Sequence, residues 1–559
     1  MKHPDFKALP RPKTDPHYLS KLENVIKAHW KSDALCNYGG KKYSYEELAV
    51  NAEKIHLLLN AAGVKKGEKV SLVARNTAEW AISFVGINTY EAVVVPLLAD
   101  FIPESICHLV DHSDSVVLFA DEDIWSKLDI EKMPKLMAVV NIADLSLFWT
   151  NSDIFKKAVE NLNQLFEKKY PDGFGPEDVN YPTDNGKDLA VINYTSGTTS
   201  APKGVMLRYE CFSATIDYGH RFIPNGYGDS IVSMLPMGHI YGLTYEFLYP
   251  LCGGVCVWYL GKAPSPSTLL KAMKEVKPYI VITVPLVMEK VYKSGVAPAL
   301  KKLGILTKLP LLGKVIYKAA GKKLMEAFGG NIRYFIMGGA ALNPSVEKAF
   351  RKMELPYTVG YGMTEAAPLL AFRYWWEYAP GSCGQAVDCA EVRIDSEDPQ
   401  RIAGEILAKG TNICSGYYKY PEADSVVFTS DGYLHTGDLG TMDKDGNIFI
   451  RGRSKTMFLS ANGQNIYPEE VEFVINNKPY VAESVVVDRG GKLVALVYLD
   501  LKAIEDAKLD PEAVSDLPED IRRSANRNLP SYSQLAKIEL VTVPFEKTPK
   551  MSIKRFLYN

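Results

Sequence analysis

The sequence lacks any apolar run near the ~20 residues that a membrane-spanning helix needs. That absence excludes an integral helical membrane protein. The most apolar stretch, PLCGGVCVWYL at 250–260, is short and broken by glycine, so a pair of buried strands is expected there. The first twenty residues hold no apolar run of signal-peptide length. Eight scattered cysteines in 559 residues fit free thiols in a reducing compartment better than a disulfide framework. These features give the expectation of a cytoplasmic protein. Neither sign of charge dominates, the net charge being −2, which argues against a nucleic-acid partner. Cys252 and Cys256 lack the spacing of a zinc knuckle. His108 and His112 would share one face of a helix, but no third ligand stands near them. A solvated helix face is expected there. Internal repeats and low-complexity tracts are also lacking.

What is present is a chain of ordinary globular balance, 47% hydrophobic and 23% charged, long enough for more than one domain. From Tyr43 to Leu118 two patterns alternate. SYEELAVNAEKIHLLLNAAG has helical apolar spacing and stops at Gly63; KVSLVA, AVVVPLL and SVVLFAD read as short buried strands. The rhythm returns at DLAVINYTSG, DSIVSMLP, YIVITVP and IRYFIMGG, where an apolar strand runs into small or polar residues. This predicts an α/β fold with a mostly parallel sheet, whose strand carboxyl ends carry the ligand site. The last hundred residues differ. SVVVDRGGKLVALVYLDL reads as a hairpin turned at Gly490 and Gly491, followed by a charged helical stretch and the strand KIELVTV. The expected architecture is a large N-terminal domain of mostly parallel sheets, residues 1–453, plus a small α+β C-terminal unit, residues 454–559. Lys290 to Lys323 holds nine lysines and no acidic residue, interleaved with LGILTKLPLLGKVIYKAA. A basic apolar surface of this kind suits anionic lipid at the inner membrane, although Pro310 and the glycines are expected to interrupt a helix there.

The densest chemical signal is Tyr194-Thr-Ser-Gly-Thr-Thr-Ser-Ala-Pro-Lys-Gly204, directly after a strand. Thr195, Ser196, Thr198 and Thr199 offer hydroxyl donors to phosphate oxygens. Gly197 lets backbone N–H groups approach, and Lys203 adds a positive charge. The spacing is not that of a Walker loop. This loop resembles the phosphate loop of the adenylate-forming (AMP-binding) superfamily, with Ser200 where that family usually has glycine.

Four further matches follow in the family's order. Gly339 and Ala340, after Met337-Gly338, resemble the adenine-binding strand end. Gly360-Tyr-Gly362-Met-Thr-Glu365 resembles the acyl-AMP motif. The resemblance implies that Tyr361 stacks on adenine, Thr364 contacts phosphate and Glu365 holds Mg2+. It further implies that Asp438, in Gly432-Tyr-Leu-His-Thr-Gly-Asp438, accepts the ribose hydroxyls. Arg453 would stand near the ribose, Lys455 at a hinge of the C-terminal lid, and Gly463 on the path of the incoming thiol. Leu235-Pro-Met-Gly-His239-Ile-Tyr-Gly242 resembles the segment beside the carboxylate pocket, where His239 would orient or gate the acid.

One departure stands out. The family's last motif runs Thr-Pro, two residues, then a catalytic lysine, and here Thr548-Pro-Lys550-Met-Ser552-Ile-Lys554 puts Ser552 at the lysine position. If the tail is an extended strand, Lys550 and Lys554 share a face with it, so Lys554 is the candidate substitute. The resemblance implies ATP-dependent activation of a carboxylic acid to acyl-AMP, with Thr198 and Glu365 among the catalytic groups. Transfer to coenzyme A would follow, with ATP, Mg2+ and coenzyme A as cofactors. SANGQNIYPEEVE and the loop context look most like long-chain fatty acid–CoA ligases, so a fatty acid is the expected substrate. The alternatives are an acyl-AMP ligase loading the phosphopantetheine of a carrier protein, an aryl-acid–CoA ligase, and a nucleotide-binding non-enzyme whose adenylation is impaired at Ser552.

Overall fold

The computed structural model describes residues 11–13, 16–195, 202–261, 266–422, 427–454, 456–459, 465–530, 533–547 and 553–558. The chain divides into two compact units. The first takes in the chain as far as Thr195, then Lys203–Glu391 and Ala408–Leu434; the second includes Val392–Leu407 and the chain from His435 onward.

The first unit is built on two seven-stranded sheets. In one, the order is Leu147–Thr150, Ala138–Asn141, Ser115–Ala120, Lys69–Val73, Val93–Pro96, Leu189–Thr195 and Lys203–Arg208. Only the two outermost strands run antiparallel to their neighbours. In the other, the order is Tyr357–Val359, Tyr334–Met337, Ile280–Thr283, Ser230–Ser233, Cys256–Tyr259, Asp33–Asn37 and Lys42–Ser44, parallel except for the last pair. Interior strands such as Val93–Pro96 and Ile280–Thr283 are buried along their whole length, which is why they read as continuous apolar runs. The predicted helix forms over Tyr45–Ala61. Ser44 caps it in a capping box with Glu47, and its apolar stripe of Leu48, Ala52, Ile55 and Leu59 is buried. It packs on Ala78–Thr89, a helix buried on every side.

Three expectations change. The stretch at 250–260 is not a strand pair: a helix ends at Tyr249–Leu251, the chain turns at Gly254 with φ +84°, and one strand, Cys256–Tyr259, follows. His112 is not on a solvated face. It ends the helix Pro103–His112, half-buried, with Nδ1 2.6 Å from the Tyr194 hydroxyl, and burial lowers its pKa. Pro310 does not interrupt a helix but opens one, Pro310–Ala327, at the position where its missing N–H costs nothing.

The second unit is α+β. Val481–Asp488 and Leu493–Leu499 form the predicted hairpin, with Gly490 and Gly491 at φ +65° and +80° as a type I′ turn requires. Lys537–Val541 joins as a third strand, parallel to Leu493–Leu499. Helices Pro468–Asn476 and Pro511–Asn526 cover this sheet through Val471, Ile475, Leu517 and Ile521. A four-stranded sheet, Ala390–Asp395, Gly404–Gly410, Leu434–Met442 and Ile448–Arg453 in that order, falls largely in this unit. Among the described residues no helix is long and apolar enough to cross a membrane.

Candidate functional site

In the first unit the predicted site residues gather where strands end. Strand Leu189–Thr195 closes on Thr195, which pairs with Lys203 at the start of the returning strand. Ser196, Gly197, Thr198 and Thr199 lie outside the described residues, as does Ser200. Strand Tyr334–Met337 runs into Gly339, at φ +82°, and Ala340, both exposed. Strand Tyr357–Val359 runs into Gly360, Tyr361 and Gly362. A Cβ on Gly362 would lie 1.9 Å from the Pro368 carbonyl oxygen, so only glycine fits. Thr364 and Glu365 follow on a short 3₁₀ turn and are buried.

Glu365 and Lys203 are linked by a residue the sequence reading missed. The Tyr417 hydroxyl donates to Glu365 Oε1 at 2.7 Å, and Lys203 Nζ lies 4.9 Å from the Tyr417 ring centroid and 4.9 Å from that of Tyr420. The Cys414 N–H donates to the Glu365 carbonyl at 2.8 Å. Glu365 Oε2 has no protein partner among the described residues. One buried carboxylate, with a lysine held nearby on the same tyrosine, suits Mg2+ carried mainly by phosphate oxygens and water.

His239 is held by a second cradle. Strand Ser230–Ser233 exits into Met234–Gly238. Glu246 Oε2 accepts from the N–H groups of Met234 at 2.9 Å and Leu235 at 2.7 Å, and from Ser233 Oγ at 3.1 Å. Asn76 accepts from Met237 N at 2.9 Å and donates to the Leu235 carbonyl at 2.6 Å; Asn193 donates to the Gly238 carbonyl at 3.0 Å. The His239 Nδ1 accepts the Tyr241 N–H at 3.2 Å. That contact fixes the face of the ring turned toward Tyr241 at the end of this strand exit. Glu246 is wholly buried, among the described residues it has no charged partner and its Oε1 no hydrogen bond, and burial pushes its pKa up to about 8. Its one sequence signal was an acid inside the apolar run LTYEFLYPL.

In the second unit, Asp438 and Arg453 are register partners on antiparallel strands, with Arg453 Nε 3.2 Å from Asp438 Oδ1. Glu405, also missed by the sequence reading, braces this motif. Its two oxygens meet His435 Nδ1 at 2.8 Å and the Gly437 N–H at 2.9 Å. The stretch 548–552 that would carry Lys550 and Ser552 into an extended strand with Lys554 lies outside the described residues. Lys554 caps the 3₁₀ turn Arg555–Leu557, its N–H donates to the Glu546 carbonyl at 2.8 Å, and its Nζ lies 3.2 Å from Glu546 Oε2. Lys547 and Ile553 pair antiparallel, and Arg555 grips the buried Glu472 with both terminal nitrogens. Lys455, Gly463, Lys550 and Ser552 lie outside the described residues.

A strand-end lysine, a single buried carboxylate and an imidazole in one unit are group types that phosphate, a divalent cation and a carboxylate call for. Comparison with known proteins agrees. The AMP-binding enzyme family matches residues 22–418, and the AMP-binding enzyme C-terminal domain matches residues 455–558. Long-chain-fatty-acid–CoA ligase 4 of Saccharomyces cerevisiae is 29% identical over 483 residues, covering 78% of this chain and 69% of that one. Long-chain-fatty-acid–CoA ligase FadD15 of Mycobacterium tuberculosis is 26% identical over 593 residues, covering 97% and 92%. Two solved structures share the fold: the anthranilate CoA ligase AuaEII in complex with anthranoyl-AMP, TM-score 0.77 at 21% identity with 98% and 97% covered, and ATP-bound MatB from Rhodopseudomonas palustris, TM-score 0.75 at 21% identity with 97% of each chain covered. Fold and relatives define an adenylate-forming acid–thiol ligase. The chain belongs to the AMP-binding enzyme family.

Proposed function

We propose that this enzyme activates a fatty acid with ATP and passes the acyl group to coenzyme A. The observation that carries the reading is the Lys203–Tyr417–Glu365 arrangement, a cation and a buried acid held ready at the strand ends of one unit. The fatty acid is supported by relatives named long-chain-fatty-acid–CoA ligases along most of the chain. In the first step a carboxylate oxygen of the acid attacks the α-phosphorus of ATP, the bond to the β-phosphate bridging oxygen breaks, and pyrophosphate leaves. In the second the thiol sulfur attacks the acyl carbonyl, AMP departs, and the thiol proton passes to solvent. Lys203, with Thr195, Ser196, Gly197, Thr198 and Thr199, binds the phosphates, and His239 orients or gates the acid. Gly339, Ala340, Gly360, Tyr361 and Gly362 receive the adenine, Thr364 a phosphate, and Asp438 with Arg453 the ribose. Mg2+ on Glu365 would supply charge neutralisation for the leaving pyrophosphate. Residues 454–559 act as a lid pivoting at Lys455, with Gly463 on the thiol path.

Lys554 is our candidate for the lysine that Ser552 replaces. It must leave Glu546 to act, and Lys554→Ala should slow pyrophosphate release by ~10²–10³ while Lys550→Ala changes it little. If neither variant slows release, the substitution idea fails. The direct test of the whole reading is ATP–pyrophosphate exchange across straight-chain and aryl acids, followed by a search for acyl-CoA. Exchange with fatty acids and formation of acyl-CoA is the expected result. Exchange confined to aryl acids, acyl transfer only to a carrier protein, or ATP binding without exchange would each replace it.

The segment Lys290–Lys323 is our proposed site of peripheral contact between a cytoplasmic enzyme and the inner membrane. Its support is a run of exposed apolar side chains, Ile305 75% and Leu311 85% exposed, between lysines.

A further inference from the structure

Tyr417 belongs to ICSGYYKY, a segment without catalytic spacing. Backbone bonds stitch it to both halves of the phosphate and metal site. On one side Met206 N donates to the Gly416 carbonyl at 3.0 Å and Tyr418 N to the Gly204 carbonyl at 2.8 Å. On the other, Cys414 N donates to the Glu365 carbonyl, and Asn412 Nδ2 donates to the carbonyls of Ala366 at 3.1 Å and Leu369 at 2.7 Å. The Tyr417 side chain, 8% exposed, therefore cannot drift. Its ring lies beneath the Lys203 ammonium and its hydroxyl reaches the Glu365 carboxylate.

Opposite charges that both touch one side chain in a partly buried site attract each other, and the attraction is strong where water is scarce. Such a pair would be idle: the ammonium would be lost to phosphate and the carboxylate to a cation. Yet among the described residues Lys203 meets the Tyr417 ring and Glu365 the Tyr417 hydroxyl, with no ion pair between the two. A tyrosine can satisfy both groups at once, offering a π-face to the cation and a hydroxyl proton to the anion.

We infer that Tyr417 is a positioning residue that keeps Lys203 and Glu365 apart, and that its hydroxyl aims Glu365 at the metal of the bound nucleotide. The inference rests on the assignment of Glu365 as metal ligand. Groups that orient a metal ligand typically contribute 10–100-fold to metal affinity.

The test uses the full-length enzyme and α,β-methylene-ATP, with dissociation constants measured by calorimetry with and without Mn2+. Their ratio is the metal increment. Tyr417→Phe keeps the ring under Lys203, so metal-free binding should stay within about twofold while the increment falls about 10–100-fold. Tyr417→Leu also removes the ring and should weaken metal-free binding as well. In a Glu365→Gln background, Tyr417→Phe should have no further effect. Melting temperatures without nucleotide check that each variant is folded. A wild-type increment in Tyr417→Phe overturns the inference. So does an equal loss of metal-free and metal-dependent binding, which is what a merely structural residue would give. If Glu365→Gln itself keeps the increment, the inference falls together with the metal assignment. That outcome is distinct from a failure of Tyr417 alone.

Discussion

A carboxyl group with no charged neighbour underlies the loop of His239. Glu246 accepts three hydrogen bonds on one oxygen and none on the other, and burial raises its pKa from 4.5 to about 8. The folded protein thus binds this proton more tightly than the unfolded chain. The stability tied to it is complete below about pH 4.5 and is lost as pH rises through about 8, where the folded enzyme must hold an unpaired buried charge. Glu246→Gln keeps an acceptor for the N–H groups of Met234 and Leu235 and cannot ionise. Relative to the wild type, its melting temperature should climb by a few degrees between pH 5 and pH 9, read by calorimetry in paired buffers. A constant difference across that range would mean that Glu246 does not titrate in the folded protein. The same residue shows what a sequence conceals: an acid between Tyr245 and Phe247 is recognisable as odd, but the three donors that explain it are 11–13 positions away.

Elements carried more of their meaning in the sequence than single side chains did. The capping box at Ser44, the Gly490–Gly491 turn and the strands that exit into Thr195, Gly339 and Gly360 are all local signals, set by hydrogen bonds or φ values within a few residues. Pairings across long separations were not legible. Tyr417 acts on Glu365 across 52 positions, and Glu405 braces Gly437 across 32. The helix end at Leu251 was misread because a buried helix and a buried strand share the same unbroken apolar composition. The brace at Glu405 has a measurable consequence. Glu405→Ala leaves His435 and the Gly437 N–H, three residues and one residue before Asp438, without the Glu405 acceptor. A hydrogen bond to a charged group contributes about 1.5–3 kcal/mol, so the KM for ATP should rise about tenfold or more. Glu405→Gln, which keeps one acceptor oxygen, should fall between. Equal KM values in all three proteins would show that Asp438 is placed without Glu405.

At the scale of the whole molecule, one surface remains that neither core nor nucleotide chemistry explains. After the helix Ala297–Lys302 and into the helix Pro310–Ala327 the chain exposes Ile305, Leu306, Leu309, Leu311 and Val315, large side chains that soluble surfaces usually show singly. Lys301, Lys302, Lys308 and Lys314 stand among them with no acidic partner within 4 Å among the described residues. Lysines near an anionic leaflet contribute about 1 kcal/mol each, and a leucine moved from water into lipid about 1.5–3 kcal/mol. The two terms separate experimentally. The enzyme should sediment with vesicles containing phosphatidylglycerol, more weakly with phosphatidylcholine alone, and less as salt is raised. Lys301→Glu with Lys302→Glu should abolish the preference for anionic vesicles. Leu311→Ser should weaken binding to both kinds by about tenfold, without altering the salt dependence. Exchange with a short, water-soluble acid should be unchanged in these variants, because the substitutions lie outside the nucleotide site. Wild-type enzyme left in the supernatant with both vesicle types would assign the apolar surface to some partner other than lipid.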